Sequence, residues 1–178
     1  MILVYGGSSS GKSEYAEKIS TDLATGKPLF YMATMESESG DAKERIKRHK
    51  SLRDGKGFAT IEEMYAPSNH ANEVKGGVVL LECMSNLTAN VMFKRFGSDI
   101  PGPDDIEKLS KDTFEELKIL DESADELVIV SNNIFGQGKN PDAWCDAYMR
   151  YLGRLNALVA EASDAFYEVT NGVSARLK

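Results

Sequence analysis

At 178 residues, 42% hydrophobic and 28% charged, the chain has the composition of an ordinary globular protein and can bury a core without disulfide or metal staples. Its net charge of −7 argues against nonspecific binding to nucleic acid or anionic membranes, both of which need a basic face. Cys83 and Cys145 stand far apart and outside any CxxC pattern, which excludes a disulfide framework or a zinc finger. No apolar stretch reaches the about 18 residues of a membrane helix, and the first residues carry no basic leader, so a cytoplasmic location is the expectation.

In chain order, an apolar strand is expected over 2–5, followed at 6–13 by "GGSSSGKS". This matches the phosphate-loop pattern G-x-x-x-x-G-K-[ST], and a helix pattern over 12–24 follows it. Strand, glycine loop and helix in that order form a phosphate cradle. Gly6, Gly7 and Gly11 allow backbone N–H groups to turn inward beside Ser8, Ser9 and Ser10, at the positive end of a helix. Lys12 is then the residue that reaches the β- and γ-phosphates, and the Ser13 hydroxyl is a ligand for Mg²⁺. Such a loop predicts nucleotide binding and leaves the reaction open.

A second strand is expected over 29–34, then a helix over 41–53 carrying "DAKERIKRHKSLR". Arg45, His49 and Arg53 are spaced i, i+4, i+8 and share one helical face. Two guanidiniums beside an imidazole disfavour its protonation and can hold phosphate, which suits a phosphorus–nitrogen intermediate. From the spacing alone, an exposed basic helix with an incidental histidine is the stronger reading. His70, in "APSNHANEV", has no such surroundings and reads as a surface residue.

After a weaker strand over 58–61 comes "GVVLLECMSN", with a strand over 78–83 and a helix over 85–96. The run is continuously apolar, as in parallel strands covered on both faces. It places Glu82 at the C-terminal end of a buried strand, the edge where α/β sheets bind ligands, as a candidate for Mg²⁺ or proton handling. Cys83 reads as a reduced core thiol. A Gly/Pro-rich stretch, 97–105, leads into an acidic helix over 104–122, best read as a solvated face. Beyond it lie a strand over 127–131, a polar loop with Asn132, Asn133, Gly136 and Gly138, a helix over 141–163 capped by Asn140 with Pro141 at its first turn, and a strand over 166–170. This β-α alternation predicts an α/β fold: one phosphate-loop domain spanning 1–178, with a mostly parallel, doubly wound sheet flanked by helices.

Taken in order, "ILVYGGSSSGKSEYAE", "LFYMAT", "RIKRHKSLR", "TIEE", "LLECMSNLTANVMF", "VIVSNNIFGQGKNP" and "GRLNALVAEASDAFYEV" resemble the bifunctional adenosylcobinamide kinase / adenosylcobinamide-phosphate guanylyltransferase family of cobalamin biosynthesis. The resemblance implies phosphorylation of adenosylcobinamide by ATP or GTP. It further implies transfer of GMP from GTP to the product through a guanylylated histidine, which matches His49. It also implies a homo-oligomer, with a trimer as the form the family suggests. Guanine selection has no clear residue signal; the stretch 62–67, headed by Glu62, is the candidate. Three departures stand out: Asn133 where the family has an acid, Asp41-Ala42 where it has Glu-Met, and a C-terminal "NGVSARLK" without proline. A kinase in which His49 only binds phosphate, and a nucleotide-sensing module without turnover, are the competing readings.

Overall fold

The computed structural model describes residues 1–35, 55–137 and 142–178. The expected helix over 41–53, with Arg45, His49 and Arg53, lies outside the described residues, as do Gly138, Asn140 and Pro141. Seven strands form one sheet: β1 (Ile2–Gly6), β2 (Leu29–Ala33), β3 (Ala59–Glu62), β4 (Val78–Glu82), β5 (Glu126–Asn132), β6 (Ala165–Thr170) and β7 (Val173–Arg176). Their order is β3-β2-β4-β5-β1-β6-β7, parallel throughout except for the final antiparallel pair. Four helices accompany them among the described residues: α1 (Lys12–Leu23), α2 (Met84–Phe96), α3 (Pro103–Ser123) and α4 (Ala143–Ala162).

Alternation along each strand sends successive side chains to opposite faces. Val4, Leu80, Val128 and Val130 pack with Ala16 of α1 on one face. Leu3, Leu81, Leu127 and Ile129 join Leu87 of α2, Leu117 and Leu120 of α3 and Leu152 and Leu155 of α4 on the other. Both faces of the central strands are therefore covered, which explains why their sequences are apolar without alternation. The sheet is doubly wound and mostly parallel, as the sequence predicts.

Two local expectations need correction. The last helix begins at Ala143, where Asp142 caps it by accepting the backbone N–H groups of Trp144 (2.8 Å) and Cys145 (3.3 Å). Strand β7 is an addition, formed by a tight turn at Asn171 and Gly172. At the start of α3, Pro103 occupies the first turn and the Asp105 carboxylate accepts the Gly102 N–H at 3.0 Å.

Candidate active site

The parallel register brings the C-terminal ends of β1, β4 and β5 to one edge: Gly6 lies opposite Asn132, and Glu82 opposite Val130. The phosphate loop leaves β1 at this edge. Gly6 is required there by close approach, since a Cβ would sit 2.4 Å from the Val169 carbonyl oxygen and 2.6 Å from Ser10 Oγ. Gly11 has φ +91° and serves as the N-cap of α1, a backbone conformation that L side chains rarely adopt. Ser9 also has positive φ, at 57°. Within the loop the Ser10 N–H donates to the Gly7 carbonyl at 3.3 Å, and Ser10 Oγ is buried without a partner among the described residues. Ser8 and Ser9 are exposed at the tip.

Lys12 is 8% exposed, and its Nζ donates to the Gly7 carbonyl at 2.9 Å, folding the side chain back across the loop. Burial lowers its pKa from the ordinary lysine value, with Cys83 and Glu82 nearby acting the other way. An ammonium held in partly dry surroundings attracts an anion more strongly than one in bulk water. The Ser13 hydroxyl donates to Glu82 Oε1. The loop that would hold phosphates and the acid two strands away are thus joined directly. Tyr31, buried on β2, donates its hydroxyl to Glu82 Oε2 at 3.2 Å.

A polar bracket supports the acid from behind. Thr34 Oγ1 accepts the Cys83 N–H at 2.7 Å and donates to the Cys83 carbonyl at 2.8 Å. Cys83 Sγ lies 2.9 Å from Ser85 Oγ, which accepts from Asn132 Nδ2 at 2.5 Å. Burial raises the pKa of the Cys83 thiol, so the expected reduced core cysteine stands as a neutral group. The Tyr148 hydroxyl donates to the Ser85 carbonyl at 3.0 Å, and burial pushes its pKa up to about 12. Asn90 on α2 donates to the Thr34 carbonyl at 2.8 Å, tying the exit of β2 to the same helix.

The structure thus joins Gly6, Gly7, Ser8, Ser9, Ser10, Gly11, Lys12, Ser13 and Glu82 at one edge. Glu62 is not part of that cluster. It is exposed at the end of β3, and Ala33 of β2 separates it from Glu82 in register, about 10 Å across two strand spacings. Its neighbour Glu63 is committed to the following turn, accepting the N–H groups of Tyr65 at 2.8 Å and Ala66 at 3.0 Å. His70 is partly buried rather than a free surface group, with Nδ1 2.8 Å from Glu73 and Nε2 3.4 Å from Glu63. Asn133 is exposed, and its side-chain oxygen accepts the Phe135 N–H at 3.3 Å. Sequence reasoning missed Tyr31, Thr34 and Ser85. The signal for Tyr31 was available, since a tyrosine in an apolar strand needs a partner for its hydroxyl.

Three comparisons place the chain among known proteins. Residues 2–177 match the family model of CobU, cobinamide kinase / cobinamide phosphate guanyltransferase. The bifunctional adenosylcobalamin biosynthesis protein CobU of Escherichia coli (strain K12) is 28% identical, covering 100% of this chain and 99% of its own. The protein of the same name from Salmonella typhimurium is 27% identical over 100% and 99%. The CobP protein of Pseudomonas aeruginosa is 26% identical over 99% and 96%. Among solved structures, an ATPase from a type III secretion system of pathogenic bacteria superposes with a TM-score of 0.56 at 11% identity. That match covers 98% of this chain but 56% of the ATPase, and it speaks for the fold alone. No helix among the described residues is long and apolar enough to cross a membrane. With residues 2–177 matched to the family model, the chain belongs to the cobinamide kinase / cobinamide phosphate guanyltransferase family, enzymes of cobalamin biosynthesis.

Proposed function

We propose that this enzyme phosphorylates the aminopropanol hydroxyl of adenosylcobinamide and then transfers GMP from GTP to that phosphate, giving adenosylcobinamide-GDP and pyrophosphate. The observation that carries the reading is the junction of Lys12, Ser13 and Glu82 beneath the phosphate loop. Lys12 would leave the Gly7 carbonyl for the β- and γ-phosphates, and Gly6, Gly7 and Gly11 would let the loop close around them. The same residues serve ATP or GTP in the first step, where the substrate hydroxyl attacks the γ-phosphorus and a nucleoside diphosphate leaves.

In the second step an imidazole nitrogen of His49 attacks the α-phosphorus of GTP, a P–N bond forms, and the P–O bond to pyrophosphate breaks. A phosphate oxygen of adenosylcobinamide phosphate then attacks the same phosphorus, and the histidine is released. Arg45 and Arg53 would offset charge on the phosphates. Ser13 and Glu82 supply a hydroxyl and a carboxylate oxygen, hard donors that fit Mg²⁺. Among the described residues no group of three or more His, Cys, Asp or Glu could hold a metal, so most of its ligands would be nucleotide phosphates and water. Bound there, Mg²⁺ would neutralise phosphate charge. Assembly as a homo-oligomer and a single domain over 1–178 belong to the same proposal.

Incubation with α-³²P-GTP and Mg²⁺ tests it. The expected result is an acid-labile, alkali-stable label on the chain, absent from His49→Ala. Folded, GTP-binding protein that never takes up label would overturn the guanylyl-histidine step and leave a kinase. A second reading follows from Asn133, an amide that cannot act as a base where the family carries an acid: one of the two activities alone is retained. Parallel assays with γ-labelled GTP on adenosylcobinamide and α-labelled GTP on adenosylcobinamide phosphate separate the two, since loss of one transfer with the other intact selects the narrower reading.

A further inference from the structure

The last two strands reach back to the first loop of the chain. β6 and β7 are joined by Asn171 and Gly172, with φ of 49° and 78°, the tight hairpin turn that an Asn-Gly pair favours. The Gly172 N–H donates to the Ser10 carbonyl of the phosphate loop at 2.8 Å. A Cβ on Gly11 would lie 3.2 Å from the Gly172 Cα, so turn and loop touch backbone to backbone. The hairpin is itself fixed to α1, where the Tyr167 ring packs edge-on against Tyr15 at 5.4 Å between centroids. The Arg176 guanidinium stands 6.0 Å over the Tyr167 ring.

Planarity of the peptide gives this contact its consequence. In a trans peptide the carbonyl and the following N–H point in opposite directions. Holding the Ser10 carbonyl against the hairpin therefore turns the Gly11 N–H away from it, alongside the free donors that open α1. Gly11, at φ +91°, has no side chain to resist other orientations, and an unanchored glycine peptide would rotate readily.

We propose that Gly172 is a positioning residue for nucleotide binding: its backbone N–H locks the Ser10–Gly11 peptide so that the Gly11 N–H is presented to a bound phosphate. The role rests on the reading of this loop as the nucleotide site. Nothing among the described residues lies within 4 Å of a Cβ placed on Gly172, so the effect of a substitution there is read through the backbone.

The test replaces the Gly172 amide by an ester, which removes the N–H and leaves the turn otherwise intact. Calorimetric binding of GTP with Mg²⁺ and the thermal midpoint are both measured. Loss of one hydrogen bond should raise the dissociation constant roughly five-fold. Gly172→Asn keeps the N–H and tolerates the left-handed conformation, so it should bind like the wild type. Gly172→Val, which resists that conformation, should weaken binding at least as much as the ester. Val159→Ala, at a fully buried position of α4, should lose thermal stability without changing affinity. An ester or valine variant that binds GTP as tightly as the wild type overturns the proposal, as does an equal affinity loss in Val159→Ala. A wild-type chain that binds no GTP removes the nucleotide reading and the inference with it.

Discussion

The two faces of the sheet are built from the same strands and do different work. On the α1 face a small apolar cluster of Val4, Ala16, Tyr31, Leu80, Val128, Val130 and Val169 shares its space with buried Lys12, Glu17 and Ser20. On the opposite face α2, α3 and α4 bury a larger set, with Leu81, Met84, Leu87, Leu117, Leu120, Leu127, Leu152 and Leu155 fully out of solvent. Leu80 and Leu81 are neighbours in sequence and belong to different worlds. Stability that scales with buried apolar area is concentrated under the three helices. The side that carries the phosphate loop keeps charged groups inside, with Lys12 on the Gly7 carbonyl and Glu17 on Lys56.

The division can be broken most forcefully on the three-helix face. Leu117→Ala should cost about 2–5 kcal/mol of stability, because a fully buried side chain leaves a cavity that its neighbours fill only in part. Denaturant midpoints measure the loss. The folded fraction should bind nucleotide as before; a changed affinity per folded molecule would mean that the faces are coupled.

Lys12→Ala is the converse. Removing the ammonium proposed to bind the phosphates should lower turnover by about 10²–10³-fold, the scale seen when a transition-state charge loses its partner. The thermal midpoint should move little, since among the described residues Lys12 donates only to the Gly7 carbonyl of its own loop. A collapse of folding in place of a loss of turnover would assign the residue to structure.

How much of this was readable beforehand follows from the physics of each element. "GVVLLEC" and "ELVIVSN" announced β4 and β5 because strands covered on both sides must be apolar throughout. The phosphate loop was legible because backbone geometry, a lysine and a hydroxyl are all encoded in adjacent residues. β7 escaped because its four residues are mostly exposed and carry no apolar run; only Asn171-Gly172 marked it. The cap of α4 was misplaced because Asn140 and Asp142 flank the same proline, and sequence cannot say which side chain reaches the open N–H groups. Contacts of Glu82 with Ser13 and Tyr31 depend on strand order and register, which short-range patterns do not contain.

The smallest effect is also the most diagnostic of the α1 face. Glu17 is 3% exposed on α1, and its carboxylate accepts from Lys56 Nζ at 2.6 Å. Lys56 itself is 39% exposed and stands just after the segment outside the described residues, so the pair fastens the chain's return to the helix. Lys56→Ala strands a buried carboxylate and should cost about 1–3 kcal/mol, less than the cavity under α3. Replacing both partners, Glu17→Leu with Lys56→Met, removes the desolvated charge together with its counterion and should recover most of that loss. Thermal midpoints of the single and double variants decide the point. If the double variant is as unstable as the single one, the pair matters for its shape or its lysine stem. If it recovers, the α1 face tolerates an apolar filling, and its buried charges are there for something other than stability.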